Sequence, residues 1–184
     1  MQGTAIARTA TEDRHGMNAD IKWLLARETP RLRRFAIALT GNVDQGDDLV
    51  QDTLERALRK RGQWGRRAGL RTWLYKILYR QHLNQAKRRR TERAAVSAMD
   101  DGEAIPAGQE SHIEMLNIQA GLSTLSADQR DAVLLVGLEN LSYDEAAEVM
   151  GVPIGTLKSR LYRGREALWT IRRGDPQASL RKVK

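Results

Sequence analysis

The chain has no cysteine, a single phenylalanine and three histidines in 184 residues. Without cysteine, disulfides, thiolate metal sites and a cysteine nucleophile are excluded. His15, His82 and His112 are scattered without the spacing of ligands, so neither a metal nor any other cofactor is expected. One Phe argues against a single large β-core. No apolar run approaches the ~18–20 residues that span a bilayer. The first sixteen residues are polar and lack the hydrophobic stretch of a signal peptide. These absences predict a cytoplasmic protein whose residues 1–16 form a disordered tail, with Met17 as a candidate alternative start.

What is present is a helix-forming vocabulary of Ala, Leu, Arg, Glu and Gln. The net charge of +8 is unevenly placed: residues 17–98 carry +11, residues 99–114 carry −5, and residues 115–184 carry +2. A basic lobe and an acidic connector thus lead into a lobe that turns basic at its end. Such asymmetry points to a polyanion partner.

Apolar residues recur at helical spacing in three segments of the basic lobe. The first holds Ile21, Leu24, Leu25, Leu32, Phe35, Ala36 and Leu39, and ends at Thr40-Gly41-Asn42. A second helix is expected from near Asp47-Asp48, with Val50, Leu54, Ala57 and Leu58 on its apolar face. After the glycine-rich stretch RGQWGRRAGL, a third presents Leu70, Trp73, Leu74, Ile77 and Leu78 and runs into the basic cluster Lys87 to Arg90. Trp73 keeps the apolar spacing and is read as core. Tyr75 and Tyr79 lie off that face, and His82 is read as a surface or boundary histidine. The fold class is therefore all-α: two small helical domains, 17–98 and 113–184, joined by an irregular acidic linker at 99–112 and each with its own core.

Near the C-terminus, SYDEAAEVMGVPIGTLKSRLYRGREAL places Asp144, Glu145 and Glu148 before a Gly-Val-Pro break, and Lys158, Arg160, Arg163 and Arg165 after it. Ser142 with Glu145 fits a capping box, Gly151 fits a left-handed helix end, and Pro153 fits the first turn of a new helix. Ile154, Leu157, Leu161, Leu168 and Ile171 are expected to be buried, leaving Lys158, Ser159, Arg160 and Arg163 free. A short helix, a tight glycine turn and a longer basic helix form a helix-turn-helix, whose second helix enters the major groove.

This stretch resembles the promoter-binding domain four of extracytoplasmic-function (ECF) sigma factors, in the sigma-70 superfamily. DDLVQDTLERAL and LRTWLYKILYRQHLN resemble domain two of the same family. The resemblance implies a non-enzymatic subunit that binds core RNA polymerase, contacts the −35 element and opens the −10 element. It implies polymerase contact by Asp48, Gln51 and Asp52. It places a pocket for an extruded base at Gly65, Arg66, Arg67, Leu70, Arg71 and Asn84, with Tyr75, Tyr79, Lys87 and Arg88 along the −10 DNA. Duplex −35 contact falls to Thr156, Lys158, Ser159, Arg160 and Arg163. In the connector, Asp100, Asp101, Glu103 and Glu110 either imitate phosphates in the polymerase RNA channel or form a solvated spacer. An anti-sigma factor is an expected partner. The alternatives are a sigma-like decoy that sequesters an anti-sigma factor, and a simple regulator using only the helix-turn-helix. The decoy lacks support in that no room remains for a receiver domain. The simple regulator leaves the TWLY helix unexplained.

Overall fold

The computed structural model describes the backbone of residues 4–64, 69–96 and 121–172, and the side chains of 21–64, 69–89, 91–92 and 121–170. Its elements are helical throughout: α1 (Thr4–Thr40), α2 (Val43–Arg59), a 3-10 turn (Arg61–Gln63) and α3 (Leu70–Val96). They are followed by α4 (Ala127–Val133), which widens into a π-helical segment (Leu134–Leu138), then α5 (Tyr143–Met150) and α6 (Ile154–Arg172). The acidic linker and the C-terminal tail lie outside the described residues.

Two boundaries differ from expectation. Helix α1 begins at Thr4, within the stretch read as a disordered tail; Ala5, Ala7 and Ala10 favour helix there and no proline precedes Pro30. Helix α2 begins ahead of Asp47-Asp48, because Asn42 caps it: its side chain accepts from the Gln45 N–H at 2.9 Å. Asp47 is consequently not a cap. It takes both Nε and Nη2 of Arg33 on α1, at 2.6 and 3.0 Å, and the hydrogen bond to Arg33 holds its carboxyl below the usual range.

Helices α1 and α2 cross at Gly46, which is buried. A Cβ there would lie 2.7 Å from Ile37 Cγ1 and 3.0 Å from the Ile37 backbone. Leu32, Phe35 and Ala36 from α1, Leu49 and Ala57 from α2, and Leu74 and Leu78 from α3 are fully buried around this crossing. In the C-terminal lobe, Gly164 of α6 lets its helix close on α4, with the position of a Cβ only 2.8 Å from Val133 Cγ2. Leu157 and Leu161 of α6 pack there with Ala132 and Leu135. Ile154, expected in this core, is exposed at the helix start, and Ile171 lies outside the described side chains.

The expectation of two separate cores is not met. The buried apolar residues of both lobes form one continuous cluster. The reason is that α3 buries a second face. Leu74 and Leu78 point into the N-terminal core, while Thr72, Tyr75 and Tyr79 are also buried. The Tyr75 ring packs tilted on Phe35, centroids 5.1 Å apart, and helix α5 packs along α3. Trp73 fulfils its assignment as a packing residue, stacked at 6.3 Å on Trp64.

Gly46→Ala tests the helix crossing. Alanine gains roughly 1 kcal/mol of helix propensity, but overpacking against backbone costs ~1–3 kcal/mol. A lower urea midpoint is expected for Gly46→Ala and none for Gly62→Ala, where nothing lies within 4 Å of the added carbon.

Candidate polymerase and nucleic-acid surfaces

Three groups of candidate residues fall on three faces. On α2, Asp48, Gln51 and Asp52 are all exposed. Gln51 donates to Glu55 at 3.4 Å, and Gln85 of α3 donates to Asp52 at 3.5 Å. The stripe is polar and open to solvent, lying opposite buried Leu49 and Thr53.

The second group lies on α3. Gly65, Arg66 and Arg67 fall outside the described residues, and Leu70 is half-buried. Asn84, Lys87 and Arg88 are exposed, with Arg88 paired to Glu92 at 2.7 Å. Arg71, Tyr75 and Tyr79, in contrast, are turned into the seam with the C-terminal lobe. Tyr75 is fully buried and Tyr79 nearly so, so in this arrangement neither is open to solvent. The spacing that keeps them off the Leu74–Leu78 face points them at α4 and its π-helical extension.

At the seam's centre is Glu139, just after the π-helical segment and fully buried. Its Oε1 accepts from Nε and Nη2 of Arg34, at 3.1 and 3.0 Å. Its Oε2 accepts from the Tyr75 hydroxyl and lies 3.4 Å from Arg71 Nη2, which also donates to the Glu139 carbonyl. Around it, Thr72 donates to Glu145 at 2.9 Å, Lys76 pairs with Glu148 at 3.0 Å, and Tyr79 donates to Asp131 at 3.0 Å. Burial and then Glu139 push the Tyr75 hydroxyl far above its ordinary pKa; burial and then Asp131 do the same to Tyr79. Both phenols therefore remain protonated donors.

The third group is on the helix-turn-helix. The capping box forms as expected, with Ser142 N donating to Glu145 Oε2 at 2.9 Å and Glu145 N to Ser142 Oγ at 3.2 Å. The Ser142 N–H first, and then the Ser142 hydroxyl, which donates to the same Oε2 at 2.8 Å, hold the Glu145 carboxyl below the usual range. Gly151 ends α5 at φ 67°, and Val152 N donates back to Ala147 O at 3.1 Å. Lys158, Ser159 and Arg163 of α6 are exposed, and Thr156 is half-buried. Arg163 lies back along its helix, Nε donating to Ser159 O at 3.2 Å, while Lys158 reaches over the Tyr143 ring. Arg160 departs from the expected free face. It follows the Leu157–Leu161–Gly164 side of the helix and pairs with Asp128 of α4 at 2.6 Å, with 24% of its side chain accessible.

Sequence reasoning missed Arg34, Asp131 and Glu139 at the seam, and Tyr162, which is 67% exposed one turn beyond Lys158. The aromatic among basic residues was a readable signal. The acids carried none, because Glu139 follows an apolar run as any helix-ending acid does. His82 is likewise buried, where desolvation and then the charges of Arg130 and Arg89 lower its pKa to about 4.

Family comparisons agree with this layout. Residues 25–79 match the sigma2 domain of PhyR, and residues 115–168 match sigma-70 region 4. The ECF RNA polymerase sigma factor EcfG of Rhodopseudomonas palustris (strain TIE-1) is 39% identical over 146 residues, covering 76% of this chain and 77% of its own. The sigma factor RpoE of Bartonella quintana, solved with the anti-sigma factor NepR, superposes with a TM-score of 0.75 at 36% identity. That match covers 85% of this chain and 98% of the other. The anti-anti-sigma factor PhyR of Bartonella quintana, also solved with NepR, shares the fold at 22% identity and a TM-score of 0.53, over 80% of this chain and 49% of its own. The chain belongs to the ECF RNA polymerase sigma factors of the sigma-70 family, with a sigma2 and a sigma4 domain. That family is not enzymatic. Among the described residues no helix is long and apolar enough to cross a membrane.

The seam carries opposed titrations. Burial, against the pull of Arg130 and Tyr79, raises Asp131 from its ordinary 3.8 to about 6. The folded chain therefore holds that proton more tightly than the unfolded one, and the burden of the charged form is relieved as pH falls through about 6. His82, lowered to about 4, loses stability as pH falls from 6.5 towards 4. Relative to wild type, Asp131→Asn should gain most above pH 6 and lose that advantage towards pH 4, a change of ~2–3 kcal/mol at ~1.4 kcal/mol per unit. His82→Gln should show the reverse trend. Urea midpoints across pH 4–8 measure both.

Proposed function

We propose that this sigma factor grips core RNA polymerase through Asp48, Gln51 and Asp52 of α2. Thr156, Lys158, Ser159 and Arg163 of α6 then bind the −35 duplex. The −10 element is held, as a single strand with one base extruded, by the Gly65–Arg67 loop with Leu70, Arg71, Tyr75, Tyr79, Asn84, Lys87 and Arg88. The observation that carries this reading is the helix-turn-helix: a short capped helix, a left-handed glycine and a helix exposing Lys158, Ser159 and Arg163 on one face. Bases on that face meet phosphates and guanine edges in the major groove. Asn84 supplies a donor and an acceptor to an extruded base.

Arg160 enters this reading as a support rather than a reader, since Asp128 holds it against α4. Arg163→Ala should weaken −35 duplex binding by roughly 1–3 kcal/mol and relax preference at one position if it reads a base. Arg160→Ala should instead lower affinity for all −35 sequences alike.

The reading extends to an anti-sigma factor as partner, supported by the NepR complex of the RpoE relative, and to the cytoplasm as the place of action. Run-off transcription with purified core polymerase on a randomised promoter pool tests the whole. Transcripts sharing −35 and −10 elements are expected; none would leave a decoy that only sequesters an anti-sigma factor. Charge reversal at Asp48 and Asp52 should abolish the transcripts and the pull-down of core enzyme while leaving the urea midpoint in place.

A further inference from the structure

Thr91, near the end of α3, is exposed and follows four consecutive bases, Lys87 to Arg90. No other Ser or Thr of the chain has bases at both the third and the second position before it. Protein kinases that select such acceptors do so with carboxylates, which pair two-pronged with the guanidinium groups ahead of the hydroxyl. Arg88 and Arg89 stand at those two positions. Thr53 and Thr72, in contrast, are buried. The Thr91 hydroxyl donates to the Lys87 carbonyl at 3.1 Å, one turn back on its own helix. Among the described residues, the last hydrogen bond from α3 to another element is that of Arg89 to Gln45 of α2, at 2.9 Å. Beyond it Thr91 and Glu92 are exposed, and a helix end of this kind opens locally at little cost, as an extended substrate cleft requires.

We propose that Thr91 is the acceptor of an ATP-dependent protein kinase that prefers basic substrates, and that its phosphate withdraws Lys87 and Arg88 from single-stranded DNA. In the transfer, Thr91 Oγ1 attacks the γ-phosphorus of ATP and the bond from that phosphorus to the β-bridging oxygen breaks. ADP leaves, and the hydroxyl proton passes to the general base of the kinase. The product adds about −1.5 to −2 charges and three acceptor oxygens to the heptad Lys87 to Arg93, whose net charge is +4. Lys87 and Arg88 lie four and three residues before Thr91, the spacings at which helix side chains meet. Arg88 already uses this reach, pairing with Glu92 at 2.7 Å. A dianion outcompetes that single carboxylate for Arg88 and engages Lys87 as well. Because these two bases belong to the −10 assignment given above, the effect on DNA rests on that reading, while the acceptor itself does not. Asp48, Gln51 and Asp52 on α2, and Lys158, Ser159 and Arg163 on α6, stay exposed and keep their charges.

The full chain and its Thr91→Ala variant are incubated with MgATP and a purified protein kinase of Arg-Arg-x-Thr preference, beside a synthetic peptide of residues 85–95 that checks the kinase. Tandem mass spectrometry should place a phosphate on Thr91 of the full chain and none on the variant. The same mapping of chain recovered from the cells that make it, across growth phases and stresses, should find part of the population modified at Thr91. A modified peptide beside an unmodified full chain overturns the acceptor, and so does a site that is never occupied in cells. Complexes of phosphorylated, unmodified and Thr91→Ala chain with core polymerase are then titrated with a fluorescent single-stranded −10 oligonucleotide and with a −35 duplex. Phosphorylation should weaken single-strand binding about tenfold or more at low salt and make its dependence on log salt shallower by about 1.4, the share of two phosphate contacts. Thr91→Ala should bind as wild type does, and duplex binding should stay within about twofold throughout, since distant sites act independently. Equal affinity and equal salt dependence before and after phosphorylation overturn the switch while leaving the −10 assignment standing. If the unmodified complex itself ignores the single strand, the −10 assignment falls and the switch with it, and the mass spectra still decide the acceptor.

Discussion

A carboxylate with no access to water is the constraint around which the two lobes are arranged. Glu139 is tolerable in the interior only because Arg34, Arg71 and Tyr75 surround it with donors. Removing one partner of such a buried charge typically costs ~3–5 kcal/mol, far more than a surface pair contributes. The three partners come from α1 and α3 and the acid from the end of the π-helical segment. Helices α1 and α3 of the N-terminal lobe are therefore fixed in register with the C-terminal lobe through one side chain. The apolar packing of Tyr75 on Phe35 then follows from where the phenol must reach.

The division of charge in the helix-turn-helix has a fuller explanation in this setting. Glu145 closes the capping box and accepts from Thr72, and Glu148 pairs with Lys76. The acids of α5 thus serve the helix end and the neighbouring lobe together, while the bases of α6 remain outward. Asp128, which binds Arg160, shows the same economy on α4. A surface ion pair of this kind stabilises little by itself, but it fixes the direction of a long cation on the helix that carries the exposed bases.

Much of this was legible beforehand, for physical reasons that can be named. Local rules were enough for the capping box, the glycine turn and the helical periodicity, since each depends on residues within one or two turns. Distant pairings were not legible. Nothing near Asp47 signals Arg33, and nothing near Glu139 signals Arg34, because both contacts depend on how separate helices cross. The boundary of α2 failed for a subtler reason: the acids at Asp47 and Asp48 looked like a helix start, and Asn42 had already supplied the cap. Tyr75 and Tyr79 were correctly placed off the apolar face of α3. Whether that second face meets solvent or another lobe is a tertiary fact that a single helix pattern does not contain.

The wide turn between Leu134 and Leu138 makes this architecture sensitive to residue count. Glu139 N reaches back to Leu134 O at 3.0 Å, one residue further than an α-helix allows. Such a turn is the shape a helix takes when it accommodates one inserted residue without losing its frame on either side. Apolar exchanges within Leu134–Leu138 leave Glu139 aimed at its donors. Deleting one residue would restore ordinary winding and swing the carboxylate by about 100° around the axis, away from Arg34, Arg71 and Tyr75. In a deletion scan read beside a substitution scan, this short stretch would tolerate changes of letter far better than changes of length.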